Sequence, residues 1–366
     1  MKIKELVAEL NRLIPFAQAE NFDNVGLLCG NPEREVTGVL ISHDTLEHIV
    51  DEAIEKNTNV ILSFHPIIFS GLKSITGKNY VERSVMKALE NKIAIIAIHT
   101  ALDNDFMGVN HRIGKELGLK NLKTLMPKNH DLQQLSVYVP KDYEEKVKEA
   151  LFSAGAGSIG FYNECSFNIK GTGTFKPQEG SQPFIGQQGT QGISVEETLI
   201  SVIFEKYKKN AIISAMKTAH PYEEVAYQIY NLENENQYLG LGQYGEFETE
   251  ISEENFLNLV KKTFGLQVIR HSQKLNKPIR KVAMLGGSGA DGIKAALANR
   301  CDAYLTADLK YHDFFQAENQ LLLCDIGHFE SEQFIIQQLF ELLSENFTKF
   351  ATLKTTQSTN PVNYFI

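Results

Sequence analysis

Three short apolar runs in this chain end on side chains that can bind a metal ion or a proton, and this recurrence narrows the folds open to it. Val60-Ile61-Leu62 runs into Ser63-Phe64-His65-Pro66, and Ile93 to Ile98 runs into His99-Thr100-Ala101-Leu102-Asp103. Leu321 to Cys324 runs into Asp325-Ile326-Gly327-His328-Phe329-Glu330-Ser331-Glu332. Apolar runs this short, bounded by polar or breaking residues, read as buried strands. In an open α/β sheet, ligands bind in the crevice beyond the carboxyl ends of the strands. Three strand ends carrying His65, His99 with Asp103, and His328 with Glu332 therefore make a candidate metal site.

The segments between these runs fit that reading. Met1 to Leu13 is an amphipathic helix stopped by Pro15, and Val39 to Ser42 is a short strand. Asp44-Thr45-Leu46-Glu47 reads as a capping box for the helix carrying Ile49, Val50, Ala53 and Ile54. Strands alternating with helices imply right-handed crossovers and a largely parallel sheet. Near Pro127 the pattern changes to paired strands and two helices, expected as an antiparallel α+β domain of ferredoxin-like type. Asn231 to Gly245 reads as its exit linker, and the parallel pattern resumes after Ser252. The expected organisation is an α/β core of two similar units, residues 1–126 and 246–366, interrupted by an α+β insert over residues 127–245.

Composition disfavours several classes. The chain has 366 residues and a formal net charge of -9, from 36 Lys and Arg against 45 Asp and Glu. An acidic chain makes a poor duplex binder, because phosphate neutralisation needs a basic face, so nucleic acid is not an expected partner. The cysteines, Cys29, Cys165, Cys301 and Cys324, form no C-x-x-C pair, which disfavours both a disulfide framework and a thiolate zinc site. No signal core or membrane-length run is present, so a cytoplasmic location is expected.

Each candidate ligand also has an ordinary reading. His328 and Glu332 are four apart, so they share a helix face and could clamp a metal or form a surface ion pair. His65 could be a hydrogen-bonded core histidine, and Asp103 an Asx turn or cap. His312 and Asp308 lie at another strand end and could support the same crevice. His220-Pro221-Tyr222-Glu223-Glu224 is either a polar site or a turn. Gly286-Gly287-Ser288-Gly289 lies between a strand and a helix but lacks nucleotide-fingerprint spacing, and close strand–helix packing explains it better.

Taken together, Asp23-Asn24-Val25-Gly26-Leu27, His65-Pro66, His99-Thr100-Ala101-Leu102-Asp103, the Gly286 to Gly289 turn, Ala307 to Asp313 and Gly327-His328 with Glu332 resemble the NIF-three-like dinuclear-metal proteins, commonly labelled GTP cyclohydrolase 1 type 2 homologues. The resemblance covers essentially the whole chain, and the middle region is similar to the PII-like insert of the longer bacterial members. It implies a toroidal homohexamer and one or two divalent ions per subunit (Zn, Fe, Mn or Ni), held by His65, Asp103, His328 and a bridging Glu332. It also implies a metal-dependent hydrolase acting on a small phosphate- or nucleotide-type substrate. The alternative is a non-catalytic metal-binding or regulatory ring with a ligand-sensing insert. One departure stands out: members of that family carry two histidines before the proline, and the first is Phe64 here. Phenylalanine cannot coordinate, so one ion is held more weakly, or another group such as His99 substitutes, or the site is mononuclear.

Overall fold

A computed structural model describes residues 1–365 as a mixed α/β protein containing three sheets. The chain divides into two compact units, one made of Met1–Met126 and Tyr238–Ile366, the other of Pro127–Gln237.

The first unit holds two of the sheets. In one, the strands run in the order Gly26–Cys29, Ala94–Ala97, Val60–Ser63, Gly38–Ser42, Ala351–Lys354. All but the first are mutually parallel. The inner three are buried along their whole length, as expected where helices cover both faces of a parallel sheet. The second sheet is built on the parallel strands Ile279–Ser288, Ala303–Ala307 and Leu322–Asp325, with antiparallel neighbours at both sides. A single core joins the two sheets. Ile41, Leu62 and Ile96 from the first pack in one cluster with Leu305, Leu322 and Cys324 from the second, alongside Leu6, Leu10, Ile335 and Leu339 from helices.

Register matters most for the site. Ser42 pairs with Ser63, and Ser63 with Ala97, so three parallel strands stop level with one another. The residues that follow, His43, Phe64-His65 and His99, leave the sheet at one end. Asp103 lies not in a loop but in the last turn of the short helix His99–Asn104.

The second unit follows a β-α-β-β-α-β order. Strands Leu132–Pro140, Phe167–Phe175, Ile193–Glu205 and Tyr227–Asn231 form an antiparallel sheet in which the first lies between the third and the fourth. This is the split β-α-β arrangement. Helices Glu144–Ser153 and Lys209–Ala219 close a separate core of Leu135, Val137, Ile200, Val202, Val147 and Ile212.

Two local expectations fail. The supposed linker is mostly a long strand, Asn236–Ile251, paired antiparallel with Ile279–Ser288. Its glycines resembled a linker, but sheet pairing satisfies that backbone and overrides composition. Asp44 caps nothing: the helix starts at Glu47 after Leu46, with no side-chain cap. The Asp44 carboxylate is engaged by histidines instead. Among the described residues, no helix is long and apolar enough to cross a membrane.

Candidate metal centre

The site is built around Glu332. This residue closes the short helix His328–Glu332 and is 3% exposed. Three imidazoles direct Nε2 at one of its oxygens, Oε2: His43 at 3.0 Å, and His65 and His328 each at 3.4 Å. The i,i+4 spacing of His328 and Glu332 brings the last of these contacts together, as the helical repeat requires.

The outer nitrogens are also committed. Asp44 lies 2.8 Å from His65 Nδ1 and 3.1 Å from His43 Nδ1, and it accepts from Thr359 Oγ1 at 2.6 Å. Asp308 takes His328 Nδ1 at 2.7 Å. Asp23 takes His99 Nδ1 at 2.9 Å together with the Thr100 backbone N–H at 3.0 Å. A carboxylate on Nδ1 fixes the tautomer with the proton there, leaving the Nε2 lone pair free and more basic, which is the second-shell pattern of metal-ligating histidines.

Asp103 is the remaining candidate ligand. It is 8% exposed, and its Oδ1 is buried with no hydrogen-bond partner. Burial, reinforced by the Glu332 charge, pushes its carboxyl well above the usual carboxylate range. Asp103 stands outside the groups of ligand atoms that lie within 4.8 Å of one another; those groups are His43, Asp44 and His65, and His65, His328 and Glu332.

The charges are mutually dependent. Burial alone would lower His65, but its bonds to Asp44 and Glu332 overcome this and raise it to about 10. His43 is opposed by burial in the same way and raised by the same two carboxylates. Burial would raise Glu332, yet His43 and His65 hold it below the usual carboxylate range. Without a metal, then, the His43 and His65 imidazoles favour their protonated forms beside a charged Glu332. A buried oxygen facing three imidazole nitrogens, with an unpartnered carboxylate oxygen nearby, suits a divalent cation in place of those protons. His, Asp and Glu donors without thiolate fit Zn, Fe, Mn or Ni.

Glycine shapes the opposite wall. At Gly287 φ is +68°, and a Cβ there would stand 2.4 Å from Glu332 Oε1. The Gly287 N–H already donates to Ser331 Oγ and that of Gly286 to Asn110 Oδ1, so this turn is not a free phosphate cradle. Close packing is its role here.

Of the residues expected from sequence, His65, His328 and Glu332 come together, while Asp103 lies outside those close groups and is linked to them through the charges of Glu332 and His65. Asp308 supports His328. His312 is exposed and stacks near Tyr311 and Phe315, with no contact to the cluster. His43 was missed, although the run Val39 to Ser42 ends in it just as Val60 to Leu62 leads to His65. Phe64 lies wholly in the core, with its ring centroid 5.6 Å from His43 and 5.6 Å from His99.

Level parallel strand ends and a histidine–carboxylate cluster define an α/β protein with a potential divalent-metal centre. The chain belongs to the Duf34/NIF3 (NGG1p interacting factor 3) family, whose model matches residues 1–361. It is 42% identical over 319 residues to the GTP cyclohydrolase 1 type 2 homolog of Halalkalibacterium halodurans, covering 87% of this chain and 86% of that one. The protein of the same name from Bacillus subtilis is 36% identical over 365 residues, covering 99% and 95%. In structure, the chain is similar to a Bacillus cereus protein related to NIF3, with a TM-score of 0.86 at 36% identity, covering 100% of this chain and 99% of that one.

Proposed function

We propose that this protein binds divalent metal through His65, Asp103, His328 and Glu332, with His43 as a fifth donor, and uses it to hydrolyse a small phosphate- or nucleotide-type substrate. The observation that carries the reading is the meeting of three Nε2 atoms on Glu332 Oε2 beside the unpartnered Asp103 Oδ1. His43 answers the departure at Phe64. Its imidazole lies beside the Phe64 ring and reaches Glu332 at the shortest of the three distances, so an adjacent strand end supplies the nitrogen that residue 64 lacks. His99 fits that role less well: unlike His43, it makes no ion pair with Glu332 among the described residues, and its partner is Asp23. With His43 counted, the cluster has enough donors for two ions sharing Glu332.

A bound divalent ion lowers the pKa of water and orients it. The protein's own part is to fix the donors. Asp44 holds His43 and His65, Asp308 holds His328, and Gly287 leaves room for Glu332. The relatives' name points to purine nucleotides as the first substrates to try, since opening a purine ring needs an activated water. The reading includes a toroidal homohexamer in the cytoplasm and a PII-like insert, for which the insert's β-α-β-β-α-β order is the support.

The second reading, a metal-binding regulator without catalysis, draws on the insert being a compact unit with its own core. Turnover separates the two. Metal-loaded protein should hydrolyse at least one member of a nucleotide and phosphoester panel, and Glu332→Gln should abolish this with assembly unchanged. A metal-loaded protein inactive across the panel would favour the regulator.

A further inference from the structure

The insert contains a cavity of about 390 Å³ that the metal centre does not use; its walls include Tyr138, Phe175, Phe184, Glu197, Tyr222 and Glu224. That volume falls within the range of small-molecule sites. The wall combines the end of strand Phe167–Phe175, part of the Lys176 to Gly192 stretch, and the His220-Pro221-Tyr222-Glu223-Glu224 segment.

The geometry is fixed from several directions. Tyr222 has its ring centroid 6.0 Å from Phe175 and 6.4 Å from Phe184, and its hydroxyl donates to Glu197 Oε1 at 3.0 Å. Gly173 makes space for the other oxygen, since a Cβ there would stand 2.1 Å from Glu197 Oε2. His220 Nε2 donates to the Tyr138 carbonyl at 2.9 Å, while its Nδ1 accepts the Tyr222 N–H at 3.1 Å. That pair of bonds requires a neutral imidazole, so His220 positions Tyr222 and brings no positive charge. The Gln182 N–H donates to Glu223 Oε1 at 2.7 Å, tying the Lys176 to Gly192 stretch onto the turn. No lysine or arginine is among the lining residues.

A half-buried carboxylate is thus held in place beside aromatic rings, with no lysine or arginine among the described lining residues to balance it. We propose that this cavity binds a small organic cation, an alkylammonium or guanidinium head carried on an apolar body. Ring faces attract such a head through their quadrupoles, and Glu197 supplies a charge-assisted partner. A phosphate-bearing ligand is disfavoured, because it would meet carboxylates where it needs donors. This assignment stands independently of the metal reading.

Calorimetric titration of the full-length protein with choline, agmatine and the neutral carbon analogue of choline tests it. At least one of the two cations should bind about tenfold or more tightly than the neutral analogue. Glu197→Gln should erase that preference, and Tyr222→Phe should weaken it. If neither cation outcompetes the neutral compound, or if a Glu197→Gln protein with unchanged thermal melting keeps the preference, the assignment is wrong. Should Glu197→Gln fail to fold, the wild-type selectivity and Tyr222→Phe decide the question.

Discussion

Glu332 and Glu197 are both carboxylates held by neighbouring side chains, yet their surroundings suit them to different cations. Glu332 is buried and faces three imidazole nitrogens whose far sides are anchored on other carboxylates. Glu197 is half-buried, held by a phenol, and faces aromatic rings. Lone pairs around a carboxylate call for a compact ion that can accept several donors. Ring faces around a carboxylate call for a diffuse charge on an organic body. The partners of the acid, more than the acid itself, set the chemistry.

The comparison can be broken first at His43. His43→Leu should weaken metal binding more than about a hundredfold, because it removes a donor and not merely a support. Adding Phe64→His to that variant should recover a large part of the loss by moving the imidazole back to the neighbouring strand end. Titration of zinc and manganese by calorimetry reads both. A His43→Leu protein with wild-type affinity would remove His43 from the ligand set.

Asp44→Asn comes next. It leaves His43 and His65 in place but removes the negative charge and one of the two acceptor oxygens that orient them, so affinity should fall about tenfold to a hundredfold, with organic-cation binding in the insert unchanged. An equal loss at both sites would mean general damage to the fold.

Acidity gives a smaller, graded effect. The metal-free His65 is raised to about 10, so metal must displace its proton at any pH below that value. Because His43 and Asp103 are raised too, affinity should rise with pH by at least about tenfold per unit between about pH 6 and 8. Proton release, read from titrations in buffers of different ionisation enthalpy, should accompany binding. Binding indifferent to pH would contradict the proton-filled cluster.

The smallest effect lies outside both sites. Glu52 accepts from Lys56 at 2.6 Å and from the Thr356 N–H at 2.8 Å, pinning the segment after the last strand. Burial would raise it, but these bonds and that from Thr355 lower it to about 2 from an ordinary 4.5. A depressed folded-state value stabilises fully above about pH 4.5, and this contribution is lost as pH falls towards about 2. Glu52→Gln should cost about 1–3 kcal/mol at neutral pH and nothing near the acid limit, by denaturant melts across that range. A pH-independent cost would argue against the charge being responsible.

Much of the core was legible because buried parallel strands leave plain apolar runs with chemistry at their ends. His65, His328 and Glu332 came from that rule. His43 obeyed the same rule and escaped, because Asp44 and Glu47 imitate a helix-capping pattern and drew attention from the residue before them. Long-range pairing was the harder part. Nothing local distinguishes Asn236–Ile251 from a linker; its strand character arises from pairing with Ile279–Ser288. The cavity of the insert was legible only in part, through the His220 to Glu224 segment read as a polar site or a turn, for a related reason. Gly173, Glu197 and Tyr222 meet only through sheet register and a turn, so no spacing in the chain announces them.

The most direct test of the metal centre is anomalous scattering from crystals of the protein loaded with zinc or manganese, with Glu332→Gln crystals as the control. The account predicts a peak bonded to Glu332 Oε2 and to Nε2 of His43, His65 or His328, absent in Glu332→Gln. Wild-type crystals grown in excess metal with no anomalous density at Glu332 would contradict it.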